Sequence, residues 1–456
     1  MQLKTTLLAA LCLGGSVAVE DAKTLPPPSV HDIAKPLVKI AFGSCNDQSM
    51  EQPLWKNIAA HEPELWLWMG DNIYADMREH GGPKPAKMFT EATGEVLLKR
   101  YAKLLANPDY SSFVNKTPVI GIWDDHDFGI NDADKRYTYR NESQQIFLDF
   151  MNEPKDSPRR KQEGIYTSYT VGTGDQTVKF ILVDNRYNRD PYGSVDGTFL
   201  GEAQWTWLEN ELMTTTAAFN VIVSGIQILP ADRPPLAESW HRFPNQRERL
   251  LKILLASNAK GVIMLSGDVH FGEINQVMCS NGDNVFTEIT SSGMTHSWMQ
   301  FHNPDIKFFP AMLFTFANLL LHWEFRPSHD SLYGYINWGK IEFDWDAKPY
   351  PVASVKVRGR DDEVKLQHVF ESKPSFSATP GDDAIECRPP RQVEPWRRIF
   401  WQGTFVATIG LFLLSIMSSG IVLLWLIWYF ATKLFSLLAG AAREESGRVE
   451  KKEKTN

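Results

Sequence analysis

The stretch that most constrains this chain is TPVIGIWDDHDFGIND, Thr117 to Asp132, where an apolar, β-branched run empties into Asp124, Asp125, His126 and Asp127. Val119, Ile120 and Ile122 read as a buried strand of an α/β sheet, and in such sheets ligands collect beyond the carboxyl ends of the strands. Consecutive ionisable groups beside buried sheet are costly when unpaired, so a multivalent cation is the economical partner. DDHD alone reads equally well as a solvated acidic turn. The recurrence of the pattern decides between the two. LVKIAFGSC ends in Cys45, ELWLWMGDNIYAD carries Asp71, Asn72, Tyr74 and Asp76, NVIVSGIQ ends in Gln227, and KGVIMLSGDVHF carries Asp268 and His270. Strand ends of this kind can meet on one edge of a sheet system, where they offer more oxygen, nitrogen and thiolate donors than one ion uses. Two or more metal ions are therefore expected.

Helical spacing falls between the strand-like runs, in EQPLWKNIAAH, EVLLKRYAKLLANP, NESQQIFLDFMNEP, GEAQWTWLENELMTT and NQRERLLKILLASN. After Asp283 the chain turns strand-rich, with NVFTEITSS, SLYGYINWGKIEFDW and YPVASVKVRG, which suggests a second sheet packed on the first. The expected class is α/β, a two-sheet sandwich flanked by helices. KFFPAMLFTFANLLLHW, Lys307 to Trp323, is too short to span a membrane and carries Pro310, so it is expected in the core; an exposed apolar lip is the alternative.

FGSC, GDNIYAD, WDDHD with Asn131 four residues on, and GDVHF followed by EITSSGMTHSW resemble the PhoD-like alkaline phosphatases, a branch of the calcineurin-like metallophosphoesterases. The resemblance runs from about Leu37 to about Trp345. It implies Cys45, Asp71, Tyr74, Asp125, Asp268 and His270 as metal ligands with Asn131 grouped beside them, and His126 as the acid next to the leaving group. It also implies iron held by cysteine and tyrosine together with calcium, and cleavage of phosphomonoesters or phosphodiesters. Asp127 stands where many relatives carry Glu. His296 lies near the site by the same resemblance, while a lone histidine is otherwise a hydrogen-bonded scaffold residue. Arg186 and Arg189 in VDNRYNRD, and Gln227, could hold substrate phosphate; salt bridges to the acidic loops are the alternative for the arginines.

A net charge of −8 argues against a nucleic-acid partner. Residues 1–18 pair Lys4 with TLLAALCLGG and a small-x-small site, as a cleaved secretory signal does. Residues 19–36 form a proline-rich leader, 37–371 the catalytic domain, and 372–398 a juxtamembrane linker. Residues 399–432 carry no charge, and their apolar heart, Phe405 to Phe430, would be ~39 Å long as a helix, a transmembrane span with aromatic anchors toward its ends. The tail, 433–456, is basic. This predicts a single-pass type I membrane protein with the catalytic domain lumenal or extracellular. Lys452 and Lys454, fifth and third from the carboxyl end, resemble a dilysine signal for endoplasmic reticulum retrieval.

The expected function is a membrane-tethered, metal-dependent phosphoesterase working by metal-activated hydroxide attack. Lipid-linked and glycan-linked esters stand open as substrates. The alternative is a silent ectodomain of the same fold serving binding or adhesion. The sequons at Asn115 and Asn141 offer glycosylation sites. With Cys12 lost with the signal and Cys45 on metal, Cys279 and Cys387 are left to pair in an oxidising compartment.

Overall fold

The computed structural model describes residues 28–77, 89–194, 197–233, 237–257, 259–279, 284–300, 308–321, 323–373 and 387–394, with short helical pieces between 396 and 429. The expected signal peptide, most of the expected span 399–432 and the tail 433–456 lie outside the described residues. Among those described, no helix is long and apolar enough to cross a membrane.

Two mixed sheets form the frame. In one, β1 (Lys39–Gly43), β2 (Trp66–Met69) and β3 (Val119–Ile122) run parallel, and β11 (Asn337–Asp344), β12 (Val352–Gly359) and β13 (Val364–Glu371) extend the sheet antiparallel from β1. In the other, β5 (Gln176–Leu182), β6 (Phe219–Ser224), β7 (Val262–Ser266) and β9 (Asn284–Ser291) run parallel. That sheet is edged by β4 (Thr167–Thr173) on one side, and by β8 (Gly272–Cys279) with β10 (Leu332–Tyr333) on the other. Strands covered on both faces must be apolar throughout, and β2, β6 and β7 are buried along their whole length.

The period of two in a strand assigns each face its layer. Val221, Val223, Ile263 and Leu265 join Phe42, Trp66, Trp338 and Val355 in the core between the sheets. Their neighbours Ile222 and Met264 pack outward against Leu208, Leu212, Leu250 and Leu254 of the helices Glu202–Thr214 and Pro244–Ala256. Further helices, among them Gly94–Leu105 and Arg140–Phe150, complete the layers. All five helices expected from spacing are present.

Two expectations are corrected, one for the late strands and one for the helix Phe308–Leu320. The late strands do not make a sheet of their own: β11 to β13 complete the sheet begun by β1, and β9 inserts beside β7, because hydrogen-bond partners and not order along the chain decide membership. Within 372–398, β14 (Cys387–Arg388) pairs antiparallel with β8. The helix Phe308–Leu320 is not core: its described side chains from Ala311 to Asn318 are half-buried, with Thr315 exposed.

The chain divides into two compact units. One is Met1–Phe314 with Trp323–Gln392, and the other Thr315–His322 with Val393–Asn456. Within the second, the Phe316 and Phe405 rings stack at 6.0 Å.

Candidate metal centre

The site assembles from the carboxyl ends of the parallel strands. Cys45 follows β1, Asp71 follows β2, Asp125 opens the short helix Asp125–Phe128 after β3, and Asp268 and His270 follow β7. Four of these turn the chain in the left-handed region, with φ of 59° at Cys45, 50° at Asp71, 73° at Asp268 and 60° at His270. Each such residue costs roughly 1–3 kcal/mol and persists only where its surroundings over-determine it. The effect is to swing the side chains off the strand ends toward one another.

Four sets of donors result, each with its ligand atoms within 4.8 Å of one another: Cys45, Asp71 and His270; Asp71, Asp125 and His126; Asp124, Asp125 and Asp268; and Asp125, Asp132 and Glu238. Asp71 and Asp125 each belong to more than one set, so they link neighbouring sets as bridging ligands do. Tyr74 enters the first set from the side, its hydroxyl 3.3 Å from Asp71 Oδ2 and 3.0 Å from His270 Nε2. Cys45 Sγ lies 3.5 Å from Asp71 Oδ2 and 3.0 Å from Ser292 Oγ, which also accepts the His270 N–H at 2.7 Å.

Burial pushes the Cys45 thiol and the Asp71, Tyr74 and Asp268 acids well above their ordinary values, and neighbouring carboxylates add to the shift. Burial, then the nearby His126, lowers His270 to about 4, which keeps its imidazole neutral, the form that binds metal. Asp124 is pushed up to about 7 by burial, against the pull of Arg186. Its Oδ1 accepts the Arg186 Nε–H at 2.6 Å, while Oδ2 is buried with no hydrogen-bond partner among the described residues. Gly70, at φ 97°, and Gly225 leave room for this carboxylate; a Cβ at Gly70 would come within 2.6 Å of its Cβ, and one at Gly225 within 2.5 Å of Oδ1. Acids that resist ionising, an orphaned carboxylate oxygen and a neutral imidazole form a donor set suited to cations.

His126 and Asp127 diverge although adjacent. Burial alone would lower the His126 pKa, but Asp125, Asp71 and Asp76 outweigh it and raise it well above the ordinary value. Its Nδ1 lies 2.7 Å from Asp76 Oδ1, and Asp76 Oδ2 accepts the Asn131 N–H at 2.8 Å. Asp127 is in none of the donor sets. It accepts the backbone N–H groups of Asp71, Asn72 and Asp124 at 3.3, 3.1 and 2.6 Å and the Asn72 amide at 2.6 Å, which ties the β2 and β3 loops together.

Two expected substrate residues are placed otherwise. Arg186 is fully buried, held by Asp124 and by both oxygens of Glu238 at 3.0 and 2.6 Å, so the salt-bridge alternative is what the structure shows. Its partners are the acidic loops themselves, whose charge it offsets. Gln227, also fully buried, donates to Glu273 and Thr290 at 2.7 and 3.0 Å and accepts from Arg233 at 2.9 Å, leaving its amide committed to the scaffold. His296 does reach the site, its ring 4.3 Å from that of His270 and 5.1 Å from that of Tyr74. Sequence reasoning counted Asp124 and Asp76 among the strand-end donors and missed Ser292 and Glu238. Ser292 stands within the EITSSGMTHSW motif, whereas Glu238 lies in a loop with no local signal. Away from the centre, Cys279 and Cys387 form a disulfide.

The sequence profile of the PhoD-like phosphatases matches residues 40–311. Alkaline phosphatase D of Bacillus subtilis (strain 168) is 26% identical over 288 residues, 55% of this chain and 48% of that protein. The chain thus spans about half the length of that relative. The solved structure of PhoD superposes with a TM-score of 0.56 at 18% identity, covering 84% of this chain and 79% of that one, a likeness of fold. GAP50, the anchor in the inner membrane complex of Plasmodium, gives a TM-score of 0.42 at 13% identity over 74% of this chain and 90% of that one. With more than half of its length matched by the profile, the chain belongs to the PhoD-like phosphatase family.

Proposed function

We propose that this protein is a membrane-tethered phosphoesterase whose centre holds iron at Cys45, Tyr74, Asp71 and His270, and calcium at the carboxylates around Asp125, Asp124 and Asp268. The observation that carries the reading is the sharing of Asp71 and Asp125 between donor sets, with His126 held by Asp76 beside them. When bound, the cations supply Lewis acidity and neutralise the charge of a phosphoryl group. The chain's own residues do the rest. Asp71 and Asp125 set the spacing of the cations. His126, held at Nδ1 by Asp76, gives a proton to the departing oxygen. Arg186 and Glu238, buried and paired, hold Asp124 without reaching substrate. The apolar stretch 399–432 supports the tether.

The test is metal analysis of the purified full-length protein with a turnover panel of phosphate mono- and diesters. Asp71→Asn should fold yet lose metal and activity together, by about 100-fold or more in kcat/KM, since it serves more than one set. Cys45→Ser should lose iron selectively, because a thiolate favours it over calcium. Wild-type turnover in both variants would overturn the assignment, and a metal-replete protein inert on the whole panel would make it a binding ectodomain.

A further inference from the structure

We propose that the centre acts on phosphate esters carrying a long aliphatic chain, and that the chain lies on an apolar ledge made by Phe271, Trp298 and Phe314. The proposal rests on the phosphoesterase reading and adds the substrate class. The ledge is continuous with the donor loop. Trp298 donates its backbone N–H to His270 O at 3.3 Å and its indole N–H to Val269 O at 2.9 Å, so the ring is pinned to the loop that carries Asp268 and His270. Phe314 stacks on that ring at 6.1 Å with the planes 14° apart, and meets Phe271, the residue after His270, at 5.6 Å. Trp298 and Phe314 are half-buried, and Phe271 is buried against Phe314.

An apolar surface running from the edge of an anion site suits a molecule with a phosphate at one end and hydrocarbon at the other. A compact sugar phosphate would leave this surface wet, and a peptide would call for polar groups to meet its backbone. The uncharged stretch 399–432 of the same chain accounts for where such a substrate would be met, in a bilayer.

Alkylphosphonates, which are not hydrolysed, test this without turnover. Full-length protein in lipid nanodiscs is titrated calorimetrically with ethylphosphonate and octylphosphonate, with empty discs subtracted. A fully buried methylene is worth roughly fourfold in affinity, and a ledge covering one side of the chain about half that free energy, so six added methylenes should tighten binding about 60-fold. Phe314→Ser, checked to melt within a few degrees of wild type, should bring the octyl-to-ethyl ratio below about fivefold; if that variant does not fold, Trp298→Gln carries the same measurement. Equal affinities for the two phosphonates in the wild type, or an undiminished ratio in the folded variant, would overturn the ledge. Hydrolysis of 4-nitrophenyl phosphate by the same preparation tests the phosphoesterase reading separately. An inert protein that still prefers octylphosphonate loses that reading and keeps the ledge, and an active one indifferent to chain length does the reverse.

Discussion

Asp76 has both carboxylate oxygens engaged, Oδ1 by His126 Nδ1 and Oδ2 by the N–H of Asn131. A carboxylate on one ring nitrogen selects the proton on that nitrogen and turns the other toward its target, so Asp76 positions His126 rather than meeting substrate. His126→Ala is expected to cut turnover of alkyl esters by about 10²- to 10⁴-fold while metal content stays, with a smaller loss on nitrophenyl esters, whose leaving group needs little help. Asp76→Asn should show the same leaving-group pattern at smaller amplitude. An equal loss on both ester types would point to charge stabilisation instead of proton donation. The adjacent Asp127 shows how far environment decides a residue's work: its two oxygens are taken up by three backbone N–H groups and the Asn72 side-chain amide.

Among the elements, β14 is held by two hydrogen-bonding residues and one covalent bond. Cys279 and Cys387 sit directly opposite each other in the β8 pairing, and their bond closes a loop of sequence separation 108. In the chain-entropy model a closure of this length contributes about 4 to 5 kcal/mol. Cys387→Ser should therefore lower the melting temperature clearly, and non-reducing peptide mapping of the wild type should yield one peptide pair carrying both cysteines. Alkylation of both without prior reduction would remove the bond from the account. The short turn Trp240–Arg242 makes a separate pH prediction. His241 is lowered from 6.5 to about 4 by burial, then by Arg242, Arg233 and Arg247. The folded form thus takes up a proton less readily than the unfolded chain, so this contribution to stability is complete above the ordinary imidazole range and is lost as pH falls from about 6.5 toward 4. Melting temperatures between pH 8 and 4.5 should fall less steeply in His241→Gln; identical slopes would exclude His241 as the cause.

At the scale of the whole molecule, two sheets meet so that their parallel strands, β1 to β3 in one and β5, β6, β7 and β9 in the other, end together. Each contributes donors that are useless alone: Cys45, Asp71 and Asp125 come from one sheet, and Asp268 and His270 from the other. Placement in the cell is a proposal that rests on the uncharged stretch 399–432 and the basic residues after it. We expect the tail to face the cytosol and the dilysine to act there, so changing Lys452 and Lys454 together to Ser should release the protein to later compartments of the secretory route. An unchanged distribution, followed by fractionation and glycan trimming, would count against the signal.

Much of the centre was legible before any fold was known, because a buried strand must be apolar and a ligand at its end must not, and that contrast is written in adjacent residues. Cys45, Asp71, Asp125, Asp268 and His270 stand out on that ground, and the helices between them follow from period alone. What only the tertiary structure decided is which groups answer each other across the chain. Periodicity marks β11 as a strand but carries nothing about β1 as its neighbour, since their pairing is a long-range hydrogen-bond choice. Arg186 looks like a phosphate clamp in the sequence and proves to be the counterion of Asp124 and Glu238, because charge is satisfied by whatever the fold brings near, and burial makes that satisfaction obligatory.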